Sequence, residues 1–161
     1  MASIQYRPEV DGLRAVAVMP VLLFHLDEKW IPHGFYGVDV FFVISGYLIT
    51  SIIAHQIANQ SFSLVAFWER RVRRIFPVLA AMVILTTIVA FFVQFRPRLE
   101  GLGLEGASTM LSFANITMML RAGDYWGGGA QELPFLHAWS LSVEEQFYLA
   151  FPILLLSLIH I

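Results

Sequence analysis

Ile75–Phe95 reads IFPVLAAMVILTTIVAFFVQF. It carries no charged residue, and its length matches the ~20 residues a helix needs to cross ~30 Å of hydrocarbon. Pro77 sits where a first helical turn tolerates a missing N–H. Immediately upstream runs Glu69-Arg70-Arg71-Val72-Arg73-Arg74, and a basic cluster abutting an apolar span stays on the cytoplasmic side. This stretch therefore predicts a membrane-crossing helix with its amino end inside.

The rest of the chain agrees with that reading. Of 161 residues, 58% are hydrophobic and 14% charged, with a mean hydropathy of +0.69, which is too apolar for an ordinary soluble domain. Phe35–Ala58 is a second apolar run whose charge is Asp39 near one end. Ala15–Leu26, continued back to Gly12 and on to Trp30, predicts another span over 12–30. A weaker candidate covers 106–121, with Ser108, Thr109, Ser112, Asn115 and Thr117 suited to face protein rather than lipid. A last one covers 140–159, where Ser142 with Glu145 three residues on predicts a capping box. The expected architecture is all-α, a polytopic transmembrane helical bundle of about five spans (12–30, 35–58, 75–95, 106–121, 140–159). Ser63–Arg74 is expected to be an interfacial or re-entrant piece, and Asp124–Gln131 a loop. Counting back from the arginines places the N-terminus in the cytoplasm, although Arg96 and Arg98 then fall outside, against the same rule. No cleavage pattern follows the first apolar run, which argues against a removed signal peptide.

Several chemistries are excluded outright. With no cysteine there is no disulfide, thiolate metal site or Cys nucleophile. A net charge of -2 gives no footprint for nucleic acid. Ser45-Gly46 stands in VISGY rather than in a nucleophile elbow, and no H-E-x-x-H helix offers a metal site.

What remains is a small set of ionisable groups in or beside apolar runs, where charge is costly and points to function. Arg14 and His25 are eleven residues apart, three helical turns, so they share a face at heights about 16 Å apart. Arg14 also suits a plain interface anchor that snorkels, and His25 an outer-interface residue. Asp39 enters the second span at a depth similar to His25, where it would orient the ring as a general base requires. A helix N-terminal carboxylate favoured by the macrodipole is the alternative. The Arg70–Arg74 cluster offers planar donors for phosphate, or a topology signal that binds anionic headgroups. Glu144 and Glu145 suit the first turn of the last span.

Taken in order, these residues resemble membrane acyltransferase family three, which includes bacterial O-antigen and peptidoglycan O-acetylases. The opening YRPEVDGLRA (6–15) followed by His25 looks like the family's R-x(10)-H pattern, on Arg14 and His25. GFYGVDVFFVISGYLIT (34–50) looks like its second-span signature, covering Asp39, Ser45 and Gly46. FWERRVRRIFP resembles its R-x-x-R element, on Arg71 and Arg74, and HAWSLSVEEQFYL its later signature, covering Trp139, Ser142, Glu144 and Glu145. The resemblance implies a domain of roughly ten spans at ~20 residues each, of which this chain is the N-terminal part. The abrupt stop after an apolar run predicts a fragment or an assembly artefact, with residues 157–161 open to question as native sequence.

The resemblance further implies transfer of an acyl group, commonly acetyl, to a hydroxyl of a cell-surface glycan or related acceptor. Acetyl-CoA or another acyl-CoA would be a co-substrate, with no tightly bound cofactor. His25 would act as base or transient acyl carrier, with Asp39 or Glu144 as its orienting carboxylate. Arg14, Arg71 and Arg74 would meet the CoA phosphates in a multi-pass protein of the cell membrane. Two other classes fit the same residues: a transporter or channel fragment in which Arg14, His25 and Asp39 form a path, and a truncated membrane protein without catalysis.

Overall fold

The computed structural model describes residues 7–93, 96–122 and 133–159. Every regular element among them is helical, in the order α1 (Pro8–Leu26), a 3-10 turn (Gly34–Tyr36), α2 (Gly37–Ala58), α3 (Leu64–Val93), α4 (Arg96–Met110), α5 (Ala114–Ala122) and α6 (Ala138–Ile159). The chain divides into two compact units, residues 1–62 and 63–161.

The first unit is an α1–α2 hairpin. Pro8 opens α1 where no N–H is needed, and Glu9 and Asp11 lie in its first turn against the positive end of the dipole. The buried positions of α2 are Gly37, Ser45, Ile49 and Ile53, a single stripe at helical spacing. Leu13, Val16, Leu22, Val40 and Val43 point outward, as expected of helices solvated by lipid rather than water. Small residues let the backbones approach. A Cβ on Gly37 would lie 2.1 Å from the Ala17 carbonyl oxygen, and one on Gly34 2.2 Å from that of Pro20. The helix ends with Gln60 at φ 52° while the Ser61 and Gln60 N–H groups bond the Gln56 and Ile57 carbonyls, each at 2.9 Å. This is the double closure of a left-handed helix cap.

In the second unit, Ser63 caps α3, its Oγ accepting the Ala66 N–H at 3.3 Å. The helix then runs unbroken for 30 residues, about 45 Å at 1.5 Å per residue. Ser63–Arg74 is therefore the cap and opening turns of the same helix rather than a separate interfacial piece. Ala90, Leu102, Met118 and Phe135 form the buried core.

The span expected over 106–121 is two helices. Ser112 turns left-handed at φ 60°, and the Phe113 N–H returns to the Ser108 carbonyl at 2.7 Å, closing α4 before α5 begins. The capping box expected at Ser142 is also absent, because α6 already begins at Ala138. Ser142 Oγ instead accepts the N–H of Ala114 at 3.1 Å, satisfying an orphan donor at the start of α5. Gln146 reinforces the junction by bonding the Ser112 carbonyl and exchanging two amide bonds with Asn115.

Among the described residues, three helical stretches are long and apolar enough to cross a membrane: Gly34–Ala58, Leu64–Val93 and Ala138–Ile159. α1 ends at Leu26 rather than Trp30. The loop expected over Asp124–Gln131 lies outside the described residues.

Candidate functional site

In the α1–α2 hairpin, His25 occupies the last turn of α1, exposed, with its ring edge-on to Phe24 at 5.6 Å. Its Nδ1 lies 2.8 Å from the carbonyl oxygen of Val21. A carbonyl only accepts, so Nδ1 must carry the proton, and in the neutral ring Nε2 is left as a free lone pair. Phe24 in turn packs edge-on against Phe35 at 5.6 Å, and Gly34 beds against Pro20 and Phe24, so the turn between the helices braces the end of α1.

Three turns back on the same helix, Arg14 is partly buried. Its guanidinium stands 4.9 Å from the centre of the Phe41 ring and 3.9 Å from Asp11, and its buried Nε has no hydrogen-bond partner. Ser45, one turn beyond Phe41 on α2, is also buried with an unpartnered Oγ. Gly46 has open space where a Cβ would stand, and its carbonyl accepts the Thr50 hydroxyl at 2.7 Å. Asp39 is exposed in the first turn of α2, where it complements the helix dipole. Among the described residues no hydrogen bond joins it to His25; the Val21 carbonyl holds the ring nitrogen that an orienting carboxylate would take.

In the second unit the packing of α3 on α6 assembles another set. The Arg71 guanidinium lies 5.5 Å from the Phe67 ring centre and 5.2 Å from that of Tyr148. The Tyr148 hydroxyl donates a hydrogen bond to Glu144, which is buried. Pro152 follows Tyr148 by four residues and has no N–H to offer, so the Tyr148 carbonyl is left without its helical donor. Trp68 supplies one from α3, its Nε1–H reaching that oxygen at 3.2 Å. Glu145 keeps one buried carboxylate oxygen unpartnered. Trp139 is half-buried in the first turn of α6, with its backbone N–H donating to the Leu136 carbonyl. Arg74 is exposed, and Arg73 pairs with Glu69 at 2.7 Å.

The structure thus brings Arg71 and Glu144 around Tyr148, and carries Arg14 and His25 on one helix. Tyr148, Trp68 and Phe41 escaped the sequence argument although all three lie inside the quoted motifs. The readable signal was the spacing of Pro152 four residues after Tyr148, which demands an external donor.

Comparison with known proteins matches residues 7–159 to the acyltransferase domain of family three. The chain is 40% identical over 162 residues to O-acetyltransferase OatA of Staphylococcus aureus, covering 99% of this chain and 26% of that protein. It is also 40% identical over 156 residues to peptidoglycan O-acetyltransferase OatA of Listeria monocytogenes, covering 96% and 25%. The chain spans about a quarter of the length of these curated relatives. No solved structure matches.

Proposed function

This chain belongs to the acyltransferase family that its residues 7–159 match, and on that premise we propose that the protein is a membrane O-acyltransferase. It moves an acyl group, acetyl in the first instance, from an acyl-CoA thioester to a hydroxyl of a cell-wall glycan. The names of the relatives support the acceptor class, and the three apolar helices support a multi-pass membrane protein. The basic run before the apolar part of α3 supports placement in the cell membrane with a cytoplasmic N-terminus.

The observation that carries the reading is the 2.8 Å contact of His25 Nδ1 with the Val21 carbonyl oxygen, from which the Nδ1–H tautomer is assigned. With Nδ1–H committed to Val21, Nε2 takes the acceptor's hydroxyl proton as its oxygen attacks the thioester carbonyl. The tetrahedral intermediate then collapses, the C–S bond breaks, and the thiolate recovers the proton from Nε2. The products are an oxygen ester and free thiol, with His25 neutral again. The donor's phosphates need cations, and Arg14 and the Arg70–Arg74 run are concentrated sources of them.

The test supplies radiolabelled acetyl-CoA to membranes holding the full-length protein and a muropeptide acceptor. Label recovered as an alkali-labile ester on the glycan supports the reading. Label that stays in the donor, with acceptor moved across the membrane unmodified, contradicts it and favours a transporter.

A further inference from the structure

Ring contacts run without a gap from His25 to the surface of the α1–α2 turn. The His25 imidazole meets Phe24 edge-on at 5.6 Å, Phe24 meets Phe35 edge-on at 5.6 Å, and Phe35 meets Tyr36 at 4.6 Å. His33 completes the cluster, 5.9 Å from Phe35 and 6.0 Å from Tyr36. Phe24 and Phe35 are half-buried, whereas His33 and Tyr36 are exposed, Tyr36 to 58%. Backbone bonds hold the turn that carries them. The Trp30 N–H donates to the Asp27 carbonyl, that of Gly34 to Ile31 and that of Tyr36 to His33, at 3.0, 3.0 and 3.1 Å. The two exposed rings are thus ordered before a ligand arrives, which lowers the cost of binding one.

Their surroundings point to the kind of ligand. Asp27, Glu28 and Lys29 open the same turn, and three successive charged side chains are not placed in hydrocarbon. By sequence, α2 ends just before the basic run that stays cytoplasmic, so its first turn and the residues preceding it lie at the outer face. A helix or an acyl chain covering the patch would call for aliphatic side chains. The turn presents π-faces with polar edges instead, the Tyr36 hydroxyl and the His33 ring nitrogens. A pyranose matches both, with C–H groups on its flat face and hydroxyls at its rim. The ring-to-ring steps leading back to His25 cover a separation that a short oligosaccharide spans.

We propose that Tyr36 and His33 form a stacking subsite for the acceptor glycan, holding a sugar ring close to the one whose hydroxyl His25 deprotonates. The inference rests on the O-acyltransferase reading and deepens it by assigning residues that bind the acceptor. The competing role for Tyr36 is an aromatic anchor at the membrane interface, which involves no sugar.

The experiment measures equilibrium binding of a disaccharide muropeptide, and separately of CoA, to the full-length protein in phosphatidylcholine nanodiscs. Tyr36→Leu and His33→Leu are each expected to weaken muropeptide binding about 3- to 10-fold, with CoA binding and the unfolding temperature unchanged. Tyr36→Trp keeps a π-face and is expected to retain muropeptide binding. The stem peptide without its disaccharide should bind Tyr36→Leu as it binds wild type. Wild-type affinity for muropeptide in both leucine variants overturns the proposal. A lowered unfolding temperature in Tyr36→Leu with muropeptide affinity intact assigns Tyr36 to the membrane interface and overturns it equally. Wild type that binds CoA but no muropeptide defeats the acceptor reading itself, whereas wild-type binding that the variants leave untouched defeats the subsite alone. Should Tyr36→Leu fail to fold, His33→Leu and Tyr36→Trp decide.

Discussion

The indole N–H of Trp68 donates to the carbonyl of Tyr148 across the α3–α6 packing, replacing the helical donor that Pro152 lacks. An unpaired carbonyl in a partly buried apolar setting costs about 1–3 kcal/mol, so Trp68→Phe should destabilise the protein by that amount. Pro152→Ala restores an N–H within α6 and should recover much of the loss in the double variant, allowing for repacking around a buried proline. A double-mutant cycle by thermal unfolding in detergent checks this. Additive losses would show that the indole bond does not compensate for the proline.

Ser142 belongs to the same class of remote donor–acceptor arrangement. Its hydroxyl oxygen receives the Ala114 N–H at the start of α5, so Ser142→Ala should cost about 1–2 kcal/mol. Ser142→Thr should retain the bond if its methyl group is accommodated. Hydrogen exchange at the Ala114 amide gives the local readout, expected to accelerate in the alanine variant alone.

Two of the three glycines of the second-span motif, Gly37 and Gly46, separate packing from flexibility. At Gly37 a Cβ would meet the Ala17 carbonyl oxygen at 2.1 Å and Val21 at 2.8 Å, whereas at Gly46 nothing lies within 4 Å. Gly37→Ala should force α1 and α2 apart at a cost of about 1–3 kcal/mol or more. Gly46→Ala should be neutral or stabilising by up to ~1 kcal/mol. Unfolding of the two variants side by side distinguishes them.

Much of the architecture was legible because hydropathy reports where a helix can lie in lipid. Ile75–Phe95 and Phe35–Ala58 announce α3 and α2 in this way. Hydropathy is blind to helix continuity through charge, so the apolar pattern starts at Ile75 although α3 begins at Leu64; the arginines interrupt the apolar run without interrupting the helix. It is equally blind to a single left-handed residue, and Ser112 divides a stretch whose composition reads as one span. Ser142 with Glu145 matched a capping pattern by spacing, yet the hydroxyl serves another helix. The candidate site was legible as residue types at helical intervals. Its partners were not: the Val21 carbonyl that sets the His25 tautomer and the Tyr148 ring beside Arg71 depend on rotamers and helix contacts that one-dimensional spacing does not encode.

Glu105 gives the protein a pH dependence outside the membrane-length helices. Its carboxylate is 3% exposed, with Oε1 at 3.0 Å from Arg121 and Oε2 unpartnered. Burial raises its pKa above the usual 4.5, outweighing the opposing pull of Arg121. The folded value exceeds the unfolded one, so the native state binds this proton more tightly. The contribution to stability is complete below about pH 4.5 and is lost as pH rises through the raised value. Relative to wild type, Glu105→Gln should therefore gain stability as the pH increases from about 4 to about 8, measured as unfolding temperature against pH.

The most direct test of the central claim is the rate of labelled acetyl transfer from acetyl-CoA to glycan by His25→Ala, relative to wild type at equal membrane abundance. Removing a base that moves the acceptor proton predicts a loss of about 10²–10⁴-fold with the protein still folded. Transfer at the wild-type rate by His25→Ala would contradict the assignment of Nε2 as the group that takes that proton.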